Sequence, residues 1–128
     1  MALGKEIGHF SFKSTSSTIT AGPGTAMTFQ TNFEGSAKWD AGEGTAVGTL
    51  TVVAERGVKS GLWEWCGATF LNSGGAVGVK SHGTWQETGP GKWQYRGTGE
   101  DSEGVISAIE SEHDLATRTL SGKNYEWK

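Results

Sequence analysis

Alternation with a period of two, cut at short intervals by glycine-rich turns, constrains this chain more than any other feature in it. Successive side chains of a strand point to opposite faces, so an apolar/polar alternation marks a strand with one face in a core and the other in water. The run AMTFQTNFEGSAKW puts Met27, Phe29, Phe33, Ala37 and Trp39 on one face and Thr28, Gln30, Asn32, Glu34 and Lys38 on the other. AVGVKSHGTWQ sets Val77, Val79 and Trp85 against Lys80, His82, Thr84 and Gln86. GKWQYRGTGE sets Trp93 and Tyr95 against Lys92, Gln94, Arg96 and Glu100. No apolar stripe of helical period persists for more than two turns.

Turn signals separate these runs: DAGEG at 40–44, RGVKSG at 56–61, NSGG at 72–75, TGPG at 88–91, EDSEG at 100–104 and SGKN at 121–124. The chain divides into about eight strands, roughly 7–19, 26–39, 44–56, 61–71, 76–87, 91–100, 104–114 and 116–127. Short hairpins throughout predict an all-β, up-and-down antiparallel meander of about eight strands closed into a small barrel, with one domain over 1–128. A two-sheet β-sandwich is the alternative, with TAGPGT (20–25) as its crossing connection.

Charge and cysteine use narrow the partners. A net charge of −3 and a pI near 5.6, with no Lys/Arg cluster, argue against a nucleic-acid or anionic-membrane partner. No apolar run approaches the ~20 residues of a membrane span, and the start MALGKEIGHFSF lacks the apolar stretch of a secretion signal, so a cytoplasmic location is expected. The single cysteine, Cys66, rules out an intrachain disulfide. His9, His82 and His113 fall on separate strands without a metal-ligand spacing, and no metal or cofactor is expected.

The stretch LWEWCGATF leaves one question open. Leu62, Glu64, Cys66, Ala68 and Phe70 share one face, and Trp63, Trp65, Gly67 and Thr69 the other, so both faces are largely apolar. With Glu64 inward, a desolvated carboxylate would be kept for chemistry or ligand anchoring, and Trp63 and Trp65 would form a homodimer interface. With Glu64 outward, the tryptophans fill the barrel and no partner is needed. The two phases are close to balanced, and Glu64 inward is the expectation carried forward. In the seventh strand Val105, Ser107, Ile109, Ser111 and His113 share a face, so His113 is either an interior base or anchor, or a cap on the Asp114–Leu115 turn. Cys66 has no visible base and reads as a small apolar lining residue. An inward Tyr95 needs a partner for its hydroxyl.

The meander, the Gly/Thr/Trp-rich strands and the GTW…GKWQYRGTG hairpin resemble small antiparallel barrels of the calycin and allene oxide cyclase-like kind. The resemblance covers the whole chain as architecture. It carries no residue across, and the Gly-x-Trp of lipocalins is replaced by GHFSFKS. It implies one apolar small molecule held in the lumen and, in some such proteins, a cofactor-free cyclisation or isomerisation steered by a single polar side chain.

Two functions follow as expectations. One is a binding barrel that encloses an apolar or aromatic metabolite among Phe29, Phe33, Trp39, Cys66, Trp85 and Trp93. The other is a cofactor-independent isomerase, cyclase or lyase with Glu64, His113 and Tyr95 as its polar groups. A tryptophan-rich carbohydrate-binding module is a third reading of the composition.

Overall fold

The computed structural model describes residues 3–40, 42–55 and 57–127. It has eight strands: β1 (Leu3–Ala21), β2 (Ala26–Trp39), β3 (Gly42–Glu55), β4 (Ser60–Leu71), β5 (Ala76–Gly89), β6 (Lys92–Asp101), β7 (Ile106–Asp114) and β8 (Thr119–Trp127). Each pairs antiparallel with its neighbours in sequence, and β1 also pairs with β8, so the sheet closes without a crossover. The fold is the expected up-and-down barrel, and the β1–β8 ladder excludes the sandwich. Met1 and Ala2, Ala41 of the 40–44 turn and Arg56 at the 56–61 turn lie outside the described residues.

One expected turn is displaced. Ser121, Gly122, Lys123 and Asn124 lie inside β8, paired with Glu112, Ser111, Glu110 and Ile109. The reversal comes earlier, where Asp114 Oδ1 accepts the N–H groups of Ala116 and Thr117 at 3.0 and 3.2 Å. An aspartate that satisfies the backbone two and three residues on nucleates the turn itself, so the SGKN composition is free to extend the strand.

The two ends of the barrel differ. One end, the mouth, carries Leu3, Trp127 and the hairpins after β2, β4 and β6. At the other end β1 outruns β8. β1 pairs with β8 only as far as Lys13–Thr119, but with β2 as far as Ala21–Met27, past an irregularity between Ser14 and Ser16. β3 pairs with β2 as far as Ala26–Glu55, so a ribbon of β1, β2 and β3 projects beyond β8, which leaves Ile19 and Met27 exposed and Phe29 only partly covered.

The core sits between Phe12, Phe33, Leu50, Val52, Trp63 and Trp85, with Tyr95, Ile109 and Leu120 closing the far side. This decides the phase of LWEWCGATF against the expectation. Trp63 is 4% exposed and Trp65 packs on the core, whereas Glu64 and Cys66 face solvent and Leu62 (68%) and Phe70 (54%) are left bare. An unpaired Glu64 carboxylate inside would cost several kcal/mol. The Trp63 N–H instead donates to the carbonyls of Thr84 (3.0 Å) and Arg96 (3.2 Å), so its one polar atom is satisfied. The Trp65 ring needs space, and the facing pair Gly48–Gly67 provides it: a Cβ on either glycine would run into the indole. A dimer interface built on Trp63 and Trp65 is therefore not available, because both rings are turned into the barrel.

Candidate functional site

The core does not fill the barrel. A cavity of about 120 Å³, counted as room for the centre of a water-sized sphere, runs from Trp63 and Tyr95 inside the barrel to Lys38, Trp39, Asp101 and Val105 at the mouth. Small side chains create this room. At Gly99 of β6 a Cβ would press on Ile109 Cδ1 at 2.8 Å and on Ser81 Oγ at 2.9 Å, so glycine keeps the Ser81 hydroxyl clear.

The two halves of the lining are chemically unlike. On the β1–β4 half, Phe10 stacks on Phe12 (centroids 4.9 Å), and Phe12 stacks on Trp65 (5.3 Å, planes 9° apart). Trp65 reaches over Gly48 to meet a strand three places round the barrel, which makes a continuous aromatic surface. The β5–β8 half carries Ser81, Ser107, Ser111 and Asn124, all lining the cavity. Asn124 Nδ2 donates to Ser107 Oγ at 3.2 Å. The hydroxyls of Ser81 (6% exposed) and Ser111 (7%), and of Thr69 on β4, have no hydrogen-bond partner among the described residues. All three line the cavity, so their oxygens open onto its space and are groups that a bound molecule can satisfy.

Tyr95 stands at the inner end of the cavity, with its hydroxyl 2.9 Å from His113 Nδ1. Burial drives the His113 titration down to about 4, against a smaller opposing pull from the neighbouring Asp114 carboxylate, so the ring is neutral at physiological pH. Burial also raises the Tyr95 titration, so the phenol keeps its proton. In one imidazole tautomer the Tyr95 O–H donates to Nδ1; in the other Nδ1–H donates to the phenol oxygen, whose own proton is then free to turn toward the lumen. The pair thus offers the lumen either an acceptor or a donor, in both cases without net charge. Phe33 and Trp93 pack edge-on against the imidazole at 5.4 and 6.2 Å and shield it from water.

The expected site residues divide by height along the barrel axis. Tyr95 and Trp39 line the cavity, at its inner end and at its mouth. His113 lies behind Tyr95 as an interior residue, not as a surface cap. Phe33 is core, and Trp85 stacks on Trp93 at 4.3 Å on the His113 side, beyond the cavity. Phe29 belongs to the projecting ribbon. Glu64 and Cys66 are on the outer surface, so neither reaches the lumen. Sequence reasoning passed over Phe10, Phe12, Ser81, Ser107 and Ser111 as lining residues. The alternation in GHFSF and in VISAIESEH gives their phase, but not their depth. Among the described residues no group of three or more His, Cys, Asp or Glu is placed to hold a metal ion.

Comparison of the chain with protein-family models, with curated proteins and with solved structures finds no match in any of the three.

Proposed function

We propose that this chain is a small-molecule-binding barrel that takes an apolar or aromatic metabolite into its lumen. The observation that carries the proposal is the cavity itself. Side chains ordinarily fill an eight-stranded barrel of this size, yet here glycine and serine stand at inward positions around an aromatic stack. Apolar walls with a few placed polar groups are the usual make-up of a ligand pocket. The architecture is also the one that calycin-like binders use. Catalysis in the lumen would have to rest on Tyr95 and His113, since Glu64 faces solvent. Carbohydrate binding draws less support, because Trp63, Trp65, Trp85 and Trp93 turn inward and form no exposed platform.

Toluene is a suitable probe, a single apolar ring offered to a cavity of about 120 Å³ that opens at the mouth. The indole N–H resonances of Trp63 and Trp65 should shift saturably as toluene is added, while that of the half-exposed Trp127 stays in place. Ala46→Leu, which fills the lumen, should abolish the shifts. A response that is absent, or equal at all six tryptophans, would refute lumenal binding.

A further inference from the structure

The chemical division of the lumen limits what it accepts. We infer that the site selects an uncharged, ring-sized aromatic bearing a hydroxyl or carbonyl group, with the ring against Phe10, Phe12 and Trp65 and the oxygen toward Ser111 and Tyr95, which face each other across β6 and β7. The inference rests on the lumenal binding proposed above and specifies the ligand class.

Three observations lead to it. The aromatic surface lies on β1 and β4 and the unbonded hydroxyls of Ser81 and Ser111 on β5 and β7, so a molecule held between them needs an apolar body and a polar substituent. A purely apolar guest would leave those hydroxyls unsatisfied, and a site built to hydrogen-bond an oxygen discriminates against the analogue lacking it. The charged side chains of the lining, Lys38, Glu100 and Asp101, stand at the mouth. The inner end holds only the neutral Tyr95–His113 pair, so nothing there balances a carboxylate, and burying one without a partner is strongly unfavourable. The cavity volume of about 120 Å³ sets the size at a single ring.

Ser111 offers both a donor and an acceptor, and Tyr95 adjusts through the imidazole tautomer, so phenols and aryl ketones are accommodated alike. Specificity then comes from the presence and direction of the oxygen and the absence of charge.

The test compares toluene, 4-methylphenol and 4-methylbenzoate on the intact protein at neutral pH, by titration of the Trp63 and Trp65 indole resonances. 4-Methylphenol should bind about tenfold more tightly than toluene, as one or two net hydrogen bonds predict, and 4-methylbenzoate should not saturate. In Ser111→Ala the phenol should lose most of its advantage while toluene still binds, at least as tightly as before, which also shows that the variant is folded. Equal binding of toluene and the phenol to the native chain would overturn the inference and leave lumenal binding standing. So would a preference that survives in Ser111→Ala, or tight binding of the benzoate. If none of the three molecules binds, the lumenal reading fails and takes this one with it.

Discussion

His113 makes stability depend on pH in a way that the structure allows to be calculated. In an unfolded chain the imidazole titrates at about 6.5; in the barrel, buried between Phe33, Trp93 and Tyr95, it titrates at about 4. The folded value is the lower one, so between the two values the unfolded chain binds a proton that the folded chain does not. The stabilisation is therefore complete above about pH 6.5 and is lost as pH falls toward 4. At 1.36 kcal/mol per decade, the loss between about pH 7.5 and 4.5 comes to roughly 2.5 kcal/mol. With a urea m-value of roughly 2 kcal/mol/M, that is a midpoint shift of about 1 M.

The assay is urea unfolding at several pH values for the native chain and for His113→Gln, which keeps a polar partner for Tyr95 but does not titrate. Carboxylates also titrate in this range. Asp114, held below its ordinary value chiefly by the Thr117 N–H, is the nearest of them. The variant retains them all, so the difference between the two pH profiles isolates the histidine. The native midpoint should fall by about 1 M more than that of the variant. Parallel profiles would refute a neutral, desolvated His113, whatever the absolute stabilities.

Other perturbations test other parts of the structure. Trp63→Phe removes an indole N–H that donates to two carbonyls, whereas Trp85→Phe removes one that has no partner. The first should destabilise by about 1 kcal/mol more than the second in denaturant unfolding, and the opposite order would contradict the assigned geometry. Gly48→Val should cost at least about 1–3 kcal/mol and shift the Trp65 indole resonance, because its Cβ falls on that ring; an unshifted resonance would place Trp65 elsewhere. Glu64→Gln should change stability by no more than about 0.5 kcal/mol, and Cys66 should react with a thiol reagent in the folded protein. A protected Cys66 would reverse the assigned phase of β4.

The barrel was legible because alternation and turn composition both follow from local chemistry. β2 begins and ends where MTFQTNFEGSAKW suggests, and the inward placement of Trp85, Trp93 and Tyr95 follows from their polar alternates. Alternation fails on β4, where both faces are apolar. There the decision belongs to other strands: the carbonyls of β5 and β6 that receive the Trp63 N–H, and the glycine of β3 that makes room for Trp65. The site was less legible than the fold for a related reason. Alternation tells in from out, but height along the axis depends on the register between strands. Phe33 and Trp85 therefore shared a face with the true lining without sharing its depth, while Ser81 and Ser111 looked like unremarkable small polar residues. The unbonded hydroxyls become visible only when all eight strands are in place.

The pairing of β1 with β8 also sets an order of events in the cell. Gly8 meets Asn124 and Phe12 meets Leu120, so the ladder that closes the barrel joins its first strand to its last. During synthesis, at about 5–20 residues per second, the first seven strands can form only an open, curled sheet. The inner rings of Phe10 and Phe12 and the free edge of β1 stay accessible until β8 emerges. Contacts of such long sequence separation form slowly, and an open strand edge is a template for pairing with another chain. A ribosome that stalls before Thr119 would thus release a species whose most adhesive edge is the one the closed barrel hides, and the nine residues of β8 serve as a built-in seal.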